Sequence, residues 1–120
     1  MAKLRSARAK AELTESAAVF AALGDDTRLR LVSRLSGEGP LSISKLTARF
    51  PITRQAITKH LRVMENAGLV RSATQGRESI WQLDQKRLKD ARHHLQMIST
   101  QWDETLGRLK ALVEYSGGSE

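Results

Sequence analysis

SISKLTARFPITRQAITKHLRVMENAGL, residues 42–69, reads as two short helices joined by a tight turn, a helix-turn-helix whose second helix carries the chemistry. In that second helix Ile57, Leu61 and Met64 recur at i, i+4 and i+7, which gives a 3.6-period helix one apolar side to pack inward. The opposite side holds Arg54, Gln55, Thr58, Lys59 and Arg62, side chains of the kinds that contact base edges and phosphates in a major groove. Arg suits guanine, Gln suits adenine, and Thr takes a polar edge or the thymine methyl. Thr53 is the expected N-cap, which puts Arg54 and Gln55 in the first turn, the part of a recognition helix that enters the groove most deeply. Asn66-Ala67-Gly68 stops the helix, with Gly68 free to take the left-handed conformation of a C-terminal cap. A merely solvated polar face would show the same pattern, so the helix alone does not decide the matter.

The next residues narrow the choice. Two strand-like runs, Leu69 to Ala73 and Ser79 to Leu83, flank Thr74-Gln75-Gly76-Arg77 as a turn, so residues 69–83 read as a β-hairpin beside the recognition helix. Trp81 and Leu83 share one face at period two and can pack on the helices, while Glu78 and Gln82 stay outside. Arg71 and Arg77 fall near the hairpin's base and tip, where a phosphate backbone or a narrow minor groove attracts them.

Taken together these segments resemble the ArsR-type winged helix-turn-helix repressors. The likeness runs through ALGDDTRLRLVSRL, then LSISKL, then ITKHLRVMENAGLVRSATQGRESIWQL, and covers residues 17–83 well and the terminal helices more loosely. It implies a mainly α fold with a small β wing (α+β), dimerising through its N- and C-terminal helices. It further implies a homodimeric bacterial transcriptional regulator on a palindromic operator, usually a repressor of its own operon. Many members sense metals through paired cysteines at the start of the motif's first helix. Here that stretch is Leu41-Ser42-Ile43-Ser44-Lys45, with no thiolate. Others use Asp, His and Glu on the last helix, where this chain has Asp90, His93, His94, Asp103 and Glu104. Adjacent histidines point about 100° apart around a helix, so His93 and His94 do not easily share one ion within a chain. No metal and no cofactor is expected, with a shared intersubunit site near His93 and His94 left open. His60 occupies a position where the family commonly has His and is read as packing or phosphate-contacting.

Twenty Lys and Arg against thirteen Asp and Glu give a formal charge of +7, the balance expected of a protein that meets a polyanion. At 120 residues and 40% hydrophobic the chain fits a single domain, 1–120. Aromatic content of 4% argues against single-strand binding by base stacking. An anionic membrane is the competing polyanion, but the cations do not line one long amphipathic helix, and no apolar run approaches spanning length. There are no cysteines, and the basic N-terminus lacks the apolar core of a signal peptide, so a cytoplasmic location is the default.

In chain order, residues 1–12 form a basic arm with Lys3, Arg5, Arg8 and Lys10 and many alanines, either a frayed helix start or an arm that touches DNA on the flank of the site, with the solvated reading preferred. A helix then starts near Thr14 and offers Ala18, Phe20, Ala21 and Leu23 before Gly24. Asp25 caps the next helix, whose Leu31, Val32 and Leu35 form its buried stripe and which ends at Gly37-Glu38-Gly39-Pro40. Arg28 in its first turn is unfavourable beside a helix N-terminus, so Asp25 or Asp26 is expected to compensate it. Leu41 begins the motif's first helix with Ser42 as a cap, and Ile43, Leu46 and Phe50 face inward. Lys45 and Thr47 stay outside as candidates for phosphate contact. After the wing, Asp84 caps a helix over 84–115, about 45 Å long at 1.5 Å per residue. Its Leu88, Ala91, Leu95, Ile98, Trp102, Leu109 and Leu112 recur at spacings of three, four or seven, close to a coiled-coil seam. So long an apolar side cannot be buried on so small a domain. A second copy, aided by the helix with Phe20, is the simplest remedy. Residues 116–120 read as a disordered tail.

No nucleophile-base pair, glycine-rich phosphate loop or paired carboxylate spacing appears, so catalysis is not expected. The leading reading is a sequence-specific binder of double-stranded DNA. Arg54, Gln55, Thr58 and Lys59 would read bases, and Lys45, Thr47, Thr53, His60, Arg62, Arg71 and Arg77 would hold the backbone. Two other classes stand beside it: a winged-helix protein-interaction module, and a non-specific architectural binder with steep salt dependence. The operator, the regulated genes and the releasing signal, whether small-molecule effector, protein partner or concentration, are not written in the residues.

Overall fold

Three apolar stripes and one aromatic side chain assemble the body. In the computed structural model, which describes residues 2–118, the order is α1 (Ala2–Leu23), α2 (Asp26–Glu38), β1 (Leu41–Ser42), α3 (Ile43–Ala48), α4 (Arg54–Asn66), β2 (Val70–Gln75), β3 (Glu78–Leu83) and α5 (Gln85–Gly118). Leu31 and Leu35 of α2, Leu46 of α3 and Ile57, Leu61 and Met64 of α4 are sealed from solvent together, and Trp81 closes the core from the sheet. Val19 and Ala22 of α1 and Ala91 of α5 complete it from the other side.

Each helix of the central unit starts where a polar side chain can replace a missing backbone acceptor. An Asp25 carboxylate oxygen accepts from the Arg28 N–H at 3.0 Å, the Ser42 hydroxyl oxygen from Lys45 N–H at 3.2 Å, and the Thr53 hydroxyl oxygen from Ala56 N–H at 3.1 Å. The end of α4 is equally defined: Leu69 N–H returns to the Met64 carbonyl at 2.9 Å while Gly68 takes φ of 79°. Arg87 of α5 lies across this turn and donates to the Ala67 carbonyl at 3.3 Å.

The sheet is antiparallel with strand order β1-β3-β2, and Trp81 stands opposite Leu41 on one side and Ser72 on the other. Leu41 therefore belongs to a strand and not to a helix. Two residues carry no periodicity of their own, and Leu41-Ser42 becomes extended by pairing with β3 before Ser42 caps α3. The hairpin strands reach further than the sequence suggests, leaving Gly76-Arg77 as the turn with Gly76 at φ 66°.

Two expectations at the chain ends are corrected. The first helix begins at Ala2 and not near Thr14, so the basic arm is its first half; alanines at 2, 7, 9 and 11 give that segment high helix propensity. Positions 116–118 continue α5, and positions 119 and 120 lie outside the described residues.

α5 is 34 residues long, about 51 Å at 1.5 Å per residue, and only its start is covered by the body. Ala91 is buried and Leu88 half-buried, but Leu95 is 53% exposed, Ile98 56%, Trp102 61% and Leu109 56%. The first fourteen residues of described α1 are likewise exposed. The radius of gyration is 20.3 Å, against about 14 Å for a compact domain of this length, because these two helices project from it. Replacing Gly68 by Ala would force a β-carbon into the left-handed turn and against the Arg87 side chain. That substitution is expected to cost about 1–3 kcal/mol in urea unfolding, whereas Gly107→Ala, at an open site inside α5, should stabilise by about 0.4–1 kcal/mol.

Candidate nucleic-acid interface

The rotation of α4 decides which of its side chains face outward. Steps of about 100° per residue put Arg54, Thr58, Arg62, Gln55 and Lys59 on one arc of about 140°, with Arg54 at the edge nearest the buried line of Ile57, Leu61 and Met64 and Lys59 farthest from it. Arg54, Gln55, Lys59 and Arg62 are exposed and Thr58 half-exposed. The Thr58 hydroxyl donates to the Arg54 carbonyl at 2.9 Å, so its proton serves the helix while its methyl and oxygen remain on the face.

The residues expected to hold a phosphate backbone are distributed less evenly. Lys45 is exposed on α3, and Arg77 sits at the tip of the hairpin turn. The Thr47 hydroxyl donates to the Ile43 carbonyl at 2.7 Å, and Thr53 is occupied in capping α4. Arg71 pairs with Gln82 across the hairpin register, on the face of the sheet opposite Ser72 and Trp81. Since Ser72 and Trp81 turn toward α4, Arg71 is not brought to the α4 side.

Arg62 is held from two sides. Its guanidinium donates to Glu65 at 3.1 Å and lies over the Trp81 ring at 5.7 Å, while the other Glu65 oxygen accepts from Ser72 of β2 at 3.1 Å. Helix and wing are thereby fixed to each other at one end of the polar face. Glu65 and Ser72 escaped the sequence reading. A signal existed in Glu65, an acid in the last turn of a helix, which the helix dipole disfavours unless a cation answers it.

His60 falls on the opposite flank, about 100° beyond Lys59 and away from the outward arc. Its Nδ1 is 3.5 Å from Arg28 Nη1 and 3.8 Å from an Asp25 carboxylate oxygen. Asp25 compensates Arg28 as expected. The backbone N–H of Arg28, opposed by desolvation and helped by the charges of Arg28 and His60, holds the Asp25 carboxyl below its ordinary value. Its contribution to stability is therefore present above the unfolded value near ~3.9 and is lost only as pH falls below that. Arg34 is a further brace, donating to Glu38 at 2.8 Å and to the Lys45 and Leu46 carbonyls at 3.3 and 3.2 Å. On α5, His94 Nδ1 is 2.5 Å from the Ser16 hydroxyl, and the His93 and His94 rings are 6.1 Å apart and tilted. Among the described residues no helix is long and apolar enough to cross a membrane.

Known proteins share the fold. The family described as a helix-turn-helix domain matches residues 23–73. An uncharacterized HTH-type transcriptional regulator of Bacillus subtilis is 42% identical over 79 residues, 61% of this chain and 86% of that one. Among solved structures, an ArsR-like transcriptional regulator from Rhodococcus sp. RHA1 is 38% identical with a TM-score of 0.72, covering 83% of this chain and 93% of its own. A winged helix-turn-helix DNA-binding domain from Mycobacterium bovis, homodimeric in its solution structure, shares the fold at 20% identity and a TM-score of 0.61, over 82% of this chain and 88% of its own. Thr53→Ala should lower stability by about 1 kcal/mol, read from the thermal midpoint, because the first turn of α4 loses its acceptor. An unchanged midpoint would leave the cap without energetic weight.

Proposed function

The chain belongs to the ArsR family of winged helix-turn-helix transcriptional regulators, and from that premise we propose that it is a homodimer that reads double-stranded DNA by sequence and represses transcription from a two-fold-symmetric operator. The observation that carries the reading is the polar face of α4. Arg54, Gln55, Thr58 and Lys59 project together from a helix whose rotation is fixed by a fully buried apolar line and whose first turn is fixed by a cap. In this reading Gln55 and Arg54 meet base edges first, Thr58 offers a methyl to thymine, and Lys59 meets an edge or the adjoining phosphate. Lys45 and Arg77 meet the backbone on either side, and Arg62 does so while bound to Glu65.

Dimerisation follows from the uncovered faces of α1 and α5. Phe20, Leu88, Leu95, Ile98, Trp102 and Leu109 form the seam, and a two-fold pair then presents two α4 helices to half-sites about one turn, or 10 base pairs, apart. The homodimeric solution structure of the Mycobacterium bovis relative supports this arrangement. The protein is proposed to work without a metal. No cysteine stands at the start of α3, and His94 is engaged with Ser16.

On a duplex selected from a random pool, Gln55→Ala should cost about 1–3 kcal/mol and relax preference at one or two base pairs. Arg77→Ala should weaken selected and scrambled duplexes alike and flatten the salt slope by about one unit. An equal loss across sequences from Gln55→Ala would remove it from the base readers. For the seam, Ile98→Asp combined with Leu109→Asp should give a folded monomer in sedimentation equilibrium with DNA affinity reduced at least ~100-fold; a persistent dimer would refute the seam.

A further inference from the structure

His60 lies on the recognition helix, yet its ring faces the body and not the groove side. The groups around it are opposite in charge and each is already engaged. Arg28 Nε donates to the Ala22 carbonyl at the end of α1 at 2.6 Å, and its Nη1 reaches His60 Nδ1 at 3.5 Å. The Asp25 oxygen 3.8 Å from that same nitrogen accepts the N–H that starts α2. One guanidinium thus joins the end of α1 to the flank of α4. Among the described residues the charged partners of the ring are Asp25 in the turn and Arg28 on α2, and beside Arg28 α1 presents Ala18, Ala21 and Ala22. Lys59, next on α4, points about 100° away.

We propose that Asp25, Arg28 and His60 form a proton-sensitive latch between the α1–α2 corner and α4, in which His60 is a positioning residue whose protonation weakens DNA binding. The proposal rests on α4 being the DNA-reading helix. In the neutral tautomer that carries its proton on Nε2, Nδ1 has a lone pair and accepts from Arg28, holding α4 against α2. When the ring takes up a proton, Nδ1 becomes a donor. It then faces a guanidinium of like charge, so the Arg28–His60 contact is lost and the ring's remaining partner is the Asp25 carboxylate, 3.8 Å away in the α1–α2 turn. The latch opens, and α4 loses its tie to the end of α1.

The sign of the effect separates the latch from ordinary electrostatics. A proton added to any histidine raises the positive charge and by itself tightens binding to a polyanion. The latch predicts the reverse.

The experiment is fluorescence anisotropy on the selected duplex from pH 8.0 to 5.5 at constant ionic strength, for the unmodified protein, His60→Asn and Arg28→Lys, each first checked by circular dichroism. Affinity of the unmodified protein should fall on the order of tenfold on acidification. His60→Asn keeps an acceptor near the Nδ1 position that does not titrate, so its affinity should stay within about twofold across the range. Arg28→Lys, unable to serve Ala22 and His60 together, should bind weakly already at pH 8.0, and carries the test should His60→Asn fail to fold. Affinity that rises or stays level in the unmodified protein, or falls equally in His60→Asn, overturns the latch. Should no duplex bind at any pH, the failure belongs to the DNA reading. The latch is then judged by NMR: amide shifts of residues 25–28 must follow the His60 titration, and their indifference overturns it.

Discussion

Everything on the outward, polar side of α4, the proposed DNA-reading face, depends on the burial of Ile57, Leu61 and Met64. These side chains are completely removed from solvent between α2, α3 and the sheet, and burial of each is worth about 1.5–3 kcal/mol. A rotation of α4 by one residue would bring Arg62 or His60 into the place of Leu61 and expose Leu61. That cost, well above thermal energy, fixes the azimuth of the helix and with it the outward set of polar side chains. Caps then fix the axial position, and Gly68 with Arg87 fixes the end. The polar face is free to vary in identity because nothing in the core depends on which residues stand there.

Around this fixed helix the protein spends its arginines as braces. Arg28 ties α2 to the end of α1, Arg34 ties α2 to the end of α3, Arg62 ties α4 to the wing, and Arg87 ties α5 to the end of α4. Three of the four bond backbone carbonyls at helix ends, where unpaired acceptors and the negative end of the helix dipole favour a cation. The formal charge of +7 is therefore only partly a DNA-binding charge. The bundle of ties also means that movement of the projecting α1 and α5, on which the proposed dimer is built, reaches α4 at both of its flanks.

The parts readable from sequence were those set by neighbours along the chain. Asp25, Ser42 and Thr53 cap the helices that follow them, and the periodic apolar residues of α2 and α4 are the buried ones. A two-residue strand such as Leu41-Ser42 has no local signature, since its conformation comes from pairing with Trp81 and Ile80 about forty positions away. In the first helix, the lysines and arginines suggested a loose arm, whereas the alanines between them decide the backbone. The polar site was legible on α4 but not around it. Period-two alternation alone could have moved Arg71 to the far face of the sheet, and helical phase could have turned His60 inward. Which groups receive them depends on contacts between distant segments.

The most direct test of a sequence-reading dimer is the ratio of its affinity for a duplex selected from a random pool to that for a scrambled duplex of equal composition, measured by anisotropy at two salt concentrations. The account predicts a two-fold-symmetric selected sequence and a ratio of at least ~10³ that persists at the higher salt. Equal, salt-sensitive affinity for both duplexes, or binding to neither, would contradict it.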